Sequence, residues 1–173
     1  MKVLLDVEGF SQHDTSIEAA SRNSACGPVT VFTLLNYWMP NACPYGMNEL
    51  YALLGTTRIG LFTWRMKRRL RKLLGSSWDI ETISLEDSLE ELQQGRPVAM
   101  KFDRYFRFQF RSDFEFSYHW VPLIGFEEVN GEVRLFIHDN GSPTKESHIR
   151  KVSYTKNKRI LTFVRIRPHS SLV

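Results

Sequence analysis

The chain has 173 residues, 42% apolar and 24% charged: the length and composition of one soluble domain, residues 1–173, able to bury about two-thirds of its unfolded surface without disulfide or metal support. No apolar run approaches the roughly 20 residues that span a membrane, and Met1 to Phe10 carries Asp6 and Glu8 without a hydrophobic core, so no membrane span and no secretory signal are read and a cytoplasmic location is expected. The formal net charge of +4 owes much to one segment, Arg65 to Lys72.

The first strong pattern is Asn23-Ser24-Ala25-Cys26-Gly27-Pro28 followed by Val29, Val31, Phe32, Leu34, Leu35, Tyr37 and Trp38. This apolar band predicts a mostly buried helix that tolerates Pro28 in its first turn and stops at Pro40 and Asn41. Cys26 then stands at a helix N-terminus, where unpaired N–H groups and the helix dipole stabilise a thiolate, which suggests a nucleophile. Taken alone, Cys26 reads equally as a small buried hydrophobe. The other cysteine, Cys43, cannot build a disulfide framework with it, although a single Cys26–Cys43 bridge would silence the thiol. Neither cysteine has a second cysteine or a histidine at zinc-ligand spacing, and His13, His119, His138, His148 and His169 are scattered, so no metal or other cofactor is expected.

A loop from Pro40 to Gly46 leads to a short helix from about Asn48 to Gly55, with Leu50, Leu53 and Leu54 inward. A basic helix from Thr63 to Leu74, closed by Gly75, follows. Its face could bind nucleic acid, an anionic membrane surface or an acidic partner. The preferred reading is a solvated face whose charges meet acids elsewhere, and nucleic acid is disfavoured because no recognised binding motif lies nearby. Ser84 with Asp87 forms a capping box for a helix carrying Leu85, Leu89 and Leu92 that ends at Gly95.

From Val98 the period changes to two. Phe102, Phe106, Phe108 and Phe110 fall on one side and Lys101, Asp103, Arg107, Gln109 and Arg111 on the other, with Arg104 and Tyr105 breaking the alternation, so one strand or two are read. Core packing is preferred for these rings over a stacking platform for bases. Trp120 to Phe126 is a further strand, Asn130-Gly131 marks a tight hairpin to a strand ending near Asp139, and Arg159 to Arg167 is a last strand. Helices first and strands second predict an α+β fold, with N-terminal helices packed on a C-terminal antiparallel sheet.

That hairpin brings His119 toward Asp139. In a strict two-residue hairpin Asp139 would oppose Pro122, so about three residues of slack must be absorbed, by a bulge or a frayed end. Given that, Asp139 can orient His119 and His119 can face Cys26: an orienter, a base and a nucleophile. Singly, His119 could be a satisfied core histidine and Asp139, in Asp139-Asn140-Gly141-Ser142-Pro143, a turn residue.

Cys26-Gly27-Pro28 opening an apolar helix, then His119-Trp120-Val121-Pro122-Leu123-Ile124-Gly125-Phe126, then His138-Asp139-Asn140-Gly141 resembles the papain-like bacteriocin-leader (double-glycine) peptidase family and its stand-alone relatives, over about Leu5 to Gly141. The resemblance implies a papain-like fold, with Cys26 as nucleophile, His119 as general base and acid, and Asp139 as orienter, ahead of Asn140. It also implies an upstream glutamine as oxyanion donor. Gln12 is the candidate, at more than the usual spacing, so Asp14 to Arg22 would form an inserted loop; Asn23 is the alternative. The implied function is hydrolysis of a peptide or amide through a thioester. Leader peptidases of this family are often fused to a transporter, and with no spanning segment here leader processing is not implied. Two other readings stay open: a non-catalytic module of the same fold that binds a peptide, or a nucleic acid through residues 65–72, and a structural domain in which the three residues never meet. The sequence leaves the oligomeric state open.

Overall fold

The computed structural model describes residues 1–110 and 113–169. The apolar band after Cys26 forms helix α1 (Cys26–Trp38), with Pro28 in its first turn. It is followed by α2 (Met47–Leu53) and the basic α3 (Thr63–Leu74), which ends where Gly75 adopts a φ of 75°. In α4 (Leu85–Gln93) the Ser84 hydroxyl accepts from the Asp87 N–H and the Asp87 carboxylate accepts from the Ser84 N–H, the reciprocal cap read from the sequence. A four-residue α5 (Tyr154–Asn157) completes the five helices among the described residues.

The strands are β1 (Lys2–Leu4), β2 (Trp78–Ile83), β3 (Val98–Asp103), β4 (Tyr118–Val129), β5 (Glu132–Asp139), β6 (His148–Ser153) and β7 (Leu161–Pro168). They pair antiparallel in the order β2-β7-β3-β4-β5-β6, and β1 adds to β4. The fold is α+β. The segregation is less complete than the sequence pattern suggested, because β1 and β2 lie in the helical half. β2 does carry a period-two signal, with Trp78 and Ile80 buried and Glu81 exposed.

Alternation within the central strands builds a core on each face. Ala99, Trp120, Val164 and Ile166 pack with Leu34 and Leu35 of α1, Leu50 of α2 and Met66 and Leu70 of α3. Val98, Met100, Phe102, Val121, Leu123, Phe163 and Leu92 of α4 form the other cluster. α1 is held to the sheet and to the end of α4 by Trp38 Nε1 donating to the Ile166 carbonyl (3.0 Å) and Tyr37 Oη donating to that of Gly95 (2.6 Å).

β4 is longer than any one neighbour. β3 covers its first half and β1 continues along the same edge, with Leu4 opposite Gly125. A Cβ at Gly125 would lie 2.3 Å from the Val3 carbonyl oxygen. Gly125→Ala is therefore expected to displace β1 and lower stability by about 1–3 kcal/mol, measured by denaturant unfolding. An unchanged midpoint would show that β1 docks without that close approach.

Two sequence expectations are corrected. Phe106, Phe108 and Phe110 do not pack in the core; they are 59%, 78% and 57% exposed. The strand stops at Asp103 because its carboxylate accepts from the Phe106 N–H (3.0 Å), closing a turn, and Phe108 adopts a φ of 52°. Arg111 lies outside the described residues. The α3 cations, for their part, do not meet acids: among the described residues no carboxylate forms an ion pair with them. Arg65 and Arg71 donate to the carbonyls of Gly55 and Ile80, Lys67 donates to Thr82, and Arg68, Arg69 and Lys72 are exposed. Also among the described residues, no helix is long and apolar enough to cross a membrane.

Candidate active site

Cys26 is the first residue of α1, 4% exposed, and no acidic side chain stands in that first turn to offset the positive end of the helix dipole. Close packing fixes the turn from outside. A Cβ at Gly27 would lie 2.8 Å from Leu61 Cβ and 3.3 Å from Trp120 Cδ1, so only glycine lets the loop before α3 and the β4 indole approach this closely. Leu61 is itself pinned. Its carbonyl accepts from Trp120 Nε1 (2.9 Å) and Tyr118 Oη (3.1 Å), and its N–H donates to Tyr118 Oη (2.9 Å). Burial, and then the charge of Cys26, raise the Tyr118 phenol above its usual range, so it stays protonated. Cys26 and Cys43 are both free thiols.

His119 enters through β4 and Asp139 through β5, and a bulge decides their meeting. From Val129–Glu132 to Gly125–Phe136 the pairing is regular; it then shifts by one residue, so that Leu123 faces Ile137. Continuing that register sets Asp139 opposite Val121, two residues from His119 and on the same side of the sheet. Without the bulge Asp139 would oppose Pro122, an odd number of residues from His119, and would project to the other side. The expected three residues of slack thus reduce to one bulged residue and one diagonal step, which two side chains can span. His119 Nε2 donates to Asp139 Oδ1 at 3.1 Å, leaving Nδ1 for the sulfur.

The electrostatics favour a charged pair. Burial alone would discharge His119, but the hydrogen bond to Asp139, the nearby Cys26 sulfur and the charges of both outweigh it and push its pKa from 6.5 to about 9. Burial would likewise raise the Asp139 carboxyl. The His119 hydrogen bond and the charges of His119 and Arg150 instead hold it below its ordinary value. Arg150 Nη1 donates to Asp139 Oδ2 at 3.4 Å, and its guanidinium lies 4.6 Å from the Phe116 ring, which in turn lies 4.9 Å from the His119 ring. Asp139→Asn is expected to lower the His119 pKa by about 1–3 pH units, followed by NMR titration of the ring, because burial then acts with less opposition. A value still near 9 would take the supporting role away from Asp139.

The adjacent His138 points elsewhere. Its Nε2 donates to the Val7 carbonyl (2.8 Å), its Nδ1 accepts from the Ser147 hydroxyl (3.2 Å), and burial holds its pKa below the usual value.

Gln12 is buried. Its Nε2 donates to the Arg22 carbonyl (3.0 Å), at the start of the short 3-10 turn Arg22–Ser24 that leads into Cys26, and its Oε1 has no hydrogen-bond partner. The long spacing is taken up by a packed excursion. Ile17 is buried against Ala25 and Val29, and Asn48 bonds both the Ser16 carbonyl and the Glu18 N–H. Asn23 is exposed.

Asn140 is placed differently from an orienter. It makes no bond to His119; its Nδ2 donates to the carbonyls of Cys26 (3.1 Å) and Trp120 (2.8 Å) and to Thr30 Oγ1 (3.2 Å). Among the described residues no group of three or more His, Cys, Asp or Glu side chains could hold a metal ion.

Residues 4–169 match the Peptidase_C39 like family. The chain belongs to that family. Among solved structures it is similar to UfSP from C. elegans, with a TM-score of 0.61 and 14% identity over 99% of this chain and 35% of that one. It is also similar to the digestive procathepsin L2 proteinase from Tenebrio molitor larval midgut, with a TM-score of 0.58 and 10% identity over 93% of this chain and 64% of that one. At these identities the likeness shows the papain-like fold, and the chain spans about a third and just under two-thirds of those two proteins. No curated protein sequence gives a significant match. In this member of the Peptidase_C39 like family, Arg150, Phe116 and the packing around Leu61 carried no signal in the sequence. Asn140 did stand out, but inside a run that reads as a turn.

Proposed function

We propose that the chain is a papain-like thiol hydrolase of peptide or amide bonds, with Cys26 as nucleophile, His119 as base and then acid, Asp139 as orienter and Gln12 as an oxyanion donor. The observation that carries this is the 3.1 Å His119–Asp139 bond beside a cysteine that opens a helix. With its proton held to about pH 9, His119 pairs with a Cys26 thiolate. The sulfur attacks the carbonyl carbon, and the resulting oxyanion takes hydrogen bonds from the Cys26 N–H and from the second Gln12 amide hydrogen, the first being bound to Arg22. His119 gives its proton to the departing amine. Water then attacks the thioester with His119 as base, releasing the acid and the thiol.

The test is incubation with a mixture of casein-derived peptides, with cleavage and an acyl adduct on Cys26 both read by mass spectrometry. Cleavage that disappears in Cys26→Ala, together with the adduct, supports the reading. No adduct and no Cys26-dependent cleavage, in a protein whose Cys26 alkylates no faster than Cys43, overturns it.

A further inference from the structure

We propose that Asn140 is a positioning residue that holds the nucleophile in register with its base, an inference that rests on the function proposed above. Asn140 is wholly buried, and its bonds reach three segments far apart in the chain. Two amide hydrogens are shared among the carbonyls of Cys26 and Trp120 and the hydroxyl of Thr30, whose own proton goes back to the Cys26 carbonyl (2.8 Å). The main-chain carbonyl of Asn140 accepts from the Gln12 N–H at 2.9 Å. One residue therefore ties the first turn of α1, the residue next to His119 and the candidate oxyanion donor to a single point.

Its place in the chain explains how. The β4–β5 pairing ends at Leu123–Ile137, so beyond it the ladder no longer sets the separation of the two strands. Asp139 and Asn140 cross this gap as consecutive residues, whose side chains leave an extended chain on opposite sides. Asp139 reaches His119 and Asn140 reaches Cys26, so a displacement of this dipeptide would move base and nucleophile together.

Packing alone does not account for an amide here. The three acceptors fix which end is the nitrogen, and this leaves Asn140 Oδ1 buried without a partner. A buried acceptor with no donor is a cost that an apolar side chain would avoid, so what the amide provides is its directional bonds. Thiolate–imidazolium pairing is sensitive to that direction, because a misplacement of about 1 Å at a reacting pair can cost around 100-fold.

The test compares Asn140→Ala and Asn140→Ser with Val152→Ala, a cavity in the second core cluster at a β6 residue that pairs with Leu135. Alkylation of Cys26 by iodoacetamide at pH 6, relative to Cys43, is measured with the melting temperature. For Asn140→Ala an about 10- to 100-fold loss of Cys26 labelling is expected, with a smaller loss for Asn140→Ser, which keeps one donor. Val152→Ala should melt earlier yet label as the wild type does. Should Asn140→Ala fail to fold, Asn140→Ser is judged by the same ratio. Folded Asn140 variants that label at the wild-type rate, with His119 dependence intact, overturn the positioning role and leave the hydrolase reading standing. A wild type whose labelling ignores His119 overturns the hydrolase reading instead.

Discussion

His119→Ala is expected to lower peptide hydrolysis by about 100- to 10,000-fold and to abolish fast alkylation of Cys26 near neutral pH, with Cys43 labelling unchanged. The size follows from the two tasks the proposed mechanism gives one ring: as imidazolium to stabilise the thiolate, and as acid to protonate an amine that cannot otherwise leave. The sign of the pH dependence is fixed by the raised pKa: the ring keeps its proton up to about pH 9, so acylation declines as pH rises through that value. Stability runs the same way. A histidine whose folded pKa lies above its ordinary 6.5 contributes stability that is fully present below 6.5 and is lost between there and about 9. The measurements are kcat/KM against pH and the alkylation rate of both cysteines by mass spectrometry. An alkaline limb well below 8, or Cys26 labelling indifferent to His119, would contradict the ion pair.

The largest loss of stability is expected for Trp120→Ala, about 3–5 kcal/mol by denaturant unfolding. Trp120 is fully buried, and its indole joins the site to the helical face of the core. It donates to the Leu61 carbonyl, lies against Gly27, and has the Lys101 ammonium 5.5 Å from its ring. Lys101 is itself buried and paired with Asp103 at 2.6 Å, so removing the ring opens a cavity beside a charged pair that the core tolerates only when well packed. Because the same indole fixes Leu61 against the start of α1, Cys26 labelling should fall as well. A loss below about 1 kcal/mol would mean that the loop before α3 collapses into the space.

The sequence by itself determined the elements whose causes are local. α1 was legible because an apolar period and a proline at its start agree, α4 because Ser84 and Asp87 cap each other, and the β4–β5 hairpin because Asn130 and Gly131 accept the positive φ angles, 53° and 77°, that a tight turn imposes. The pairing of His119 with Asp139 was legible only as an approach of two strand ends. Tertiary structure decided the rest. One bulged residue in β4 set whether His119 and Asp139 share a face, and Gly125 marks an irregularity there without fixing its register, since a bulge depends on the partner strand as much as on its own. The exposure of Phe106, Phe108 and Phe110 followed from a turn at Asp103 that cut a plausible alternation short. β1 pairs with the part of β4 that β3 leaves uncovered, and β6 pairs with β5, partners that only the assembled sheet supplies. Asn140 read only as the lesser candidate for orienter, inside a run that suits a turn; its bonds to Cys26 and Trp120 join residues 114 and 20 positions away, and no local pattern encodes such a contact.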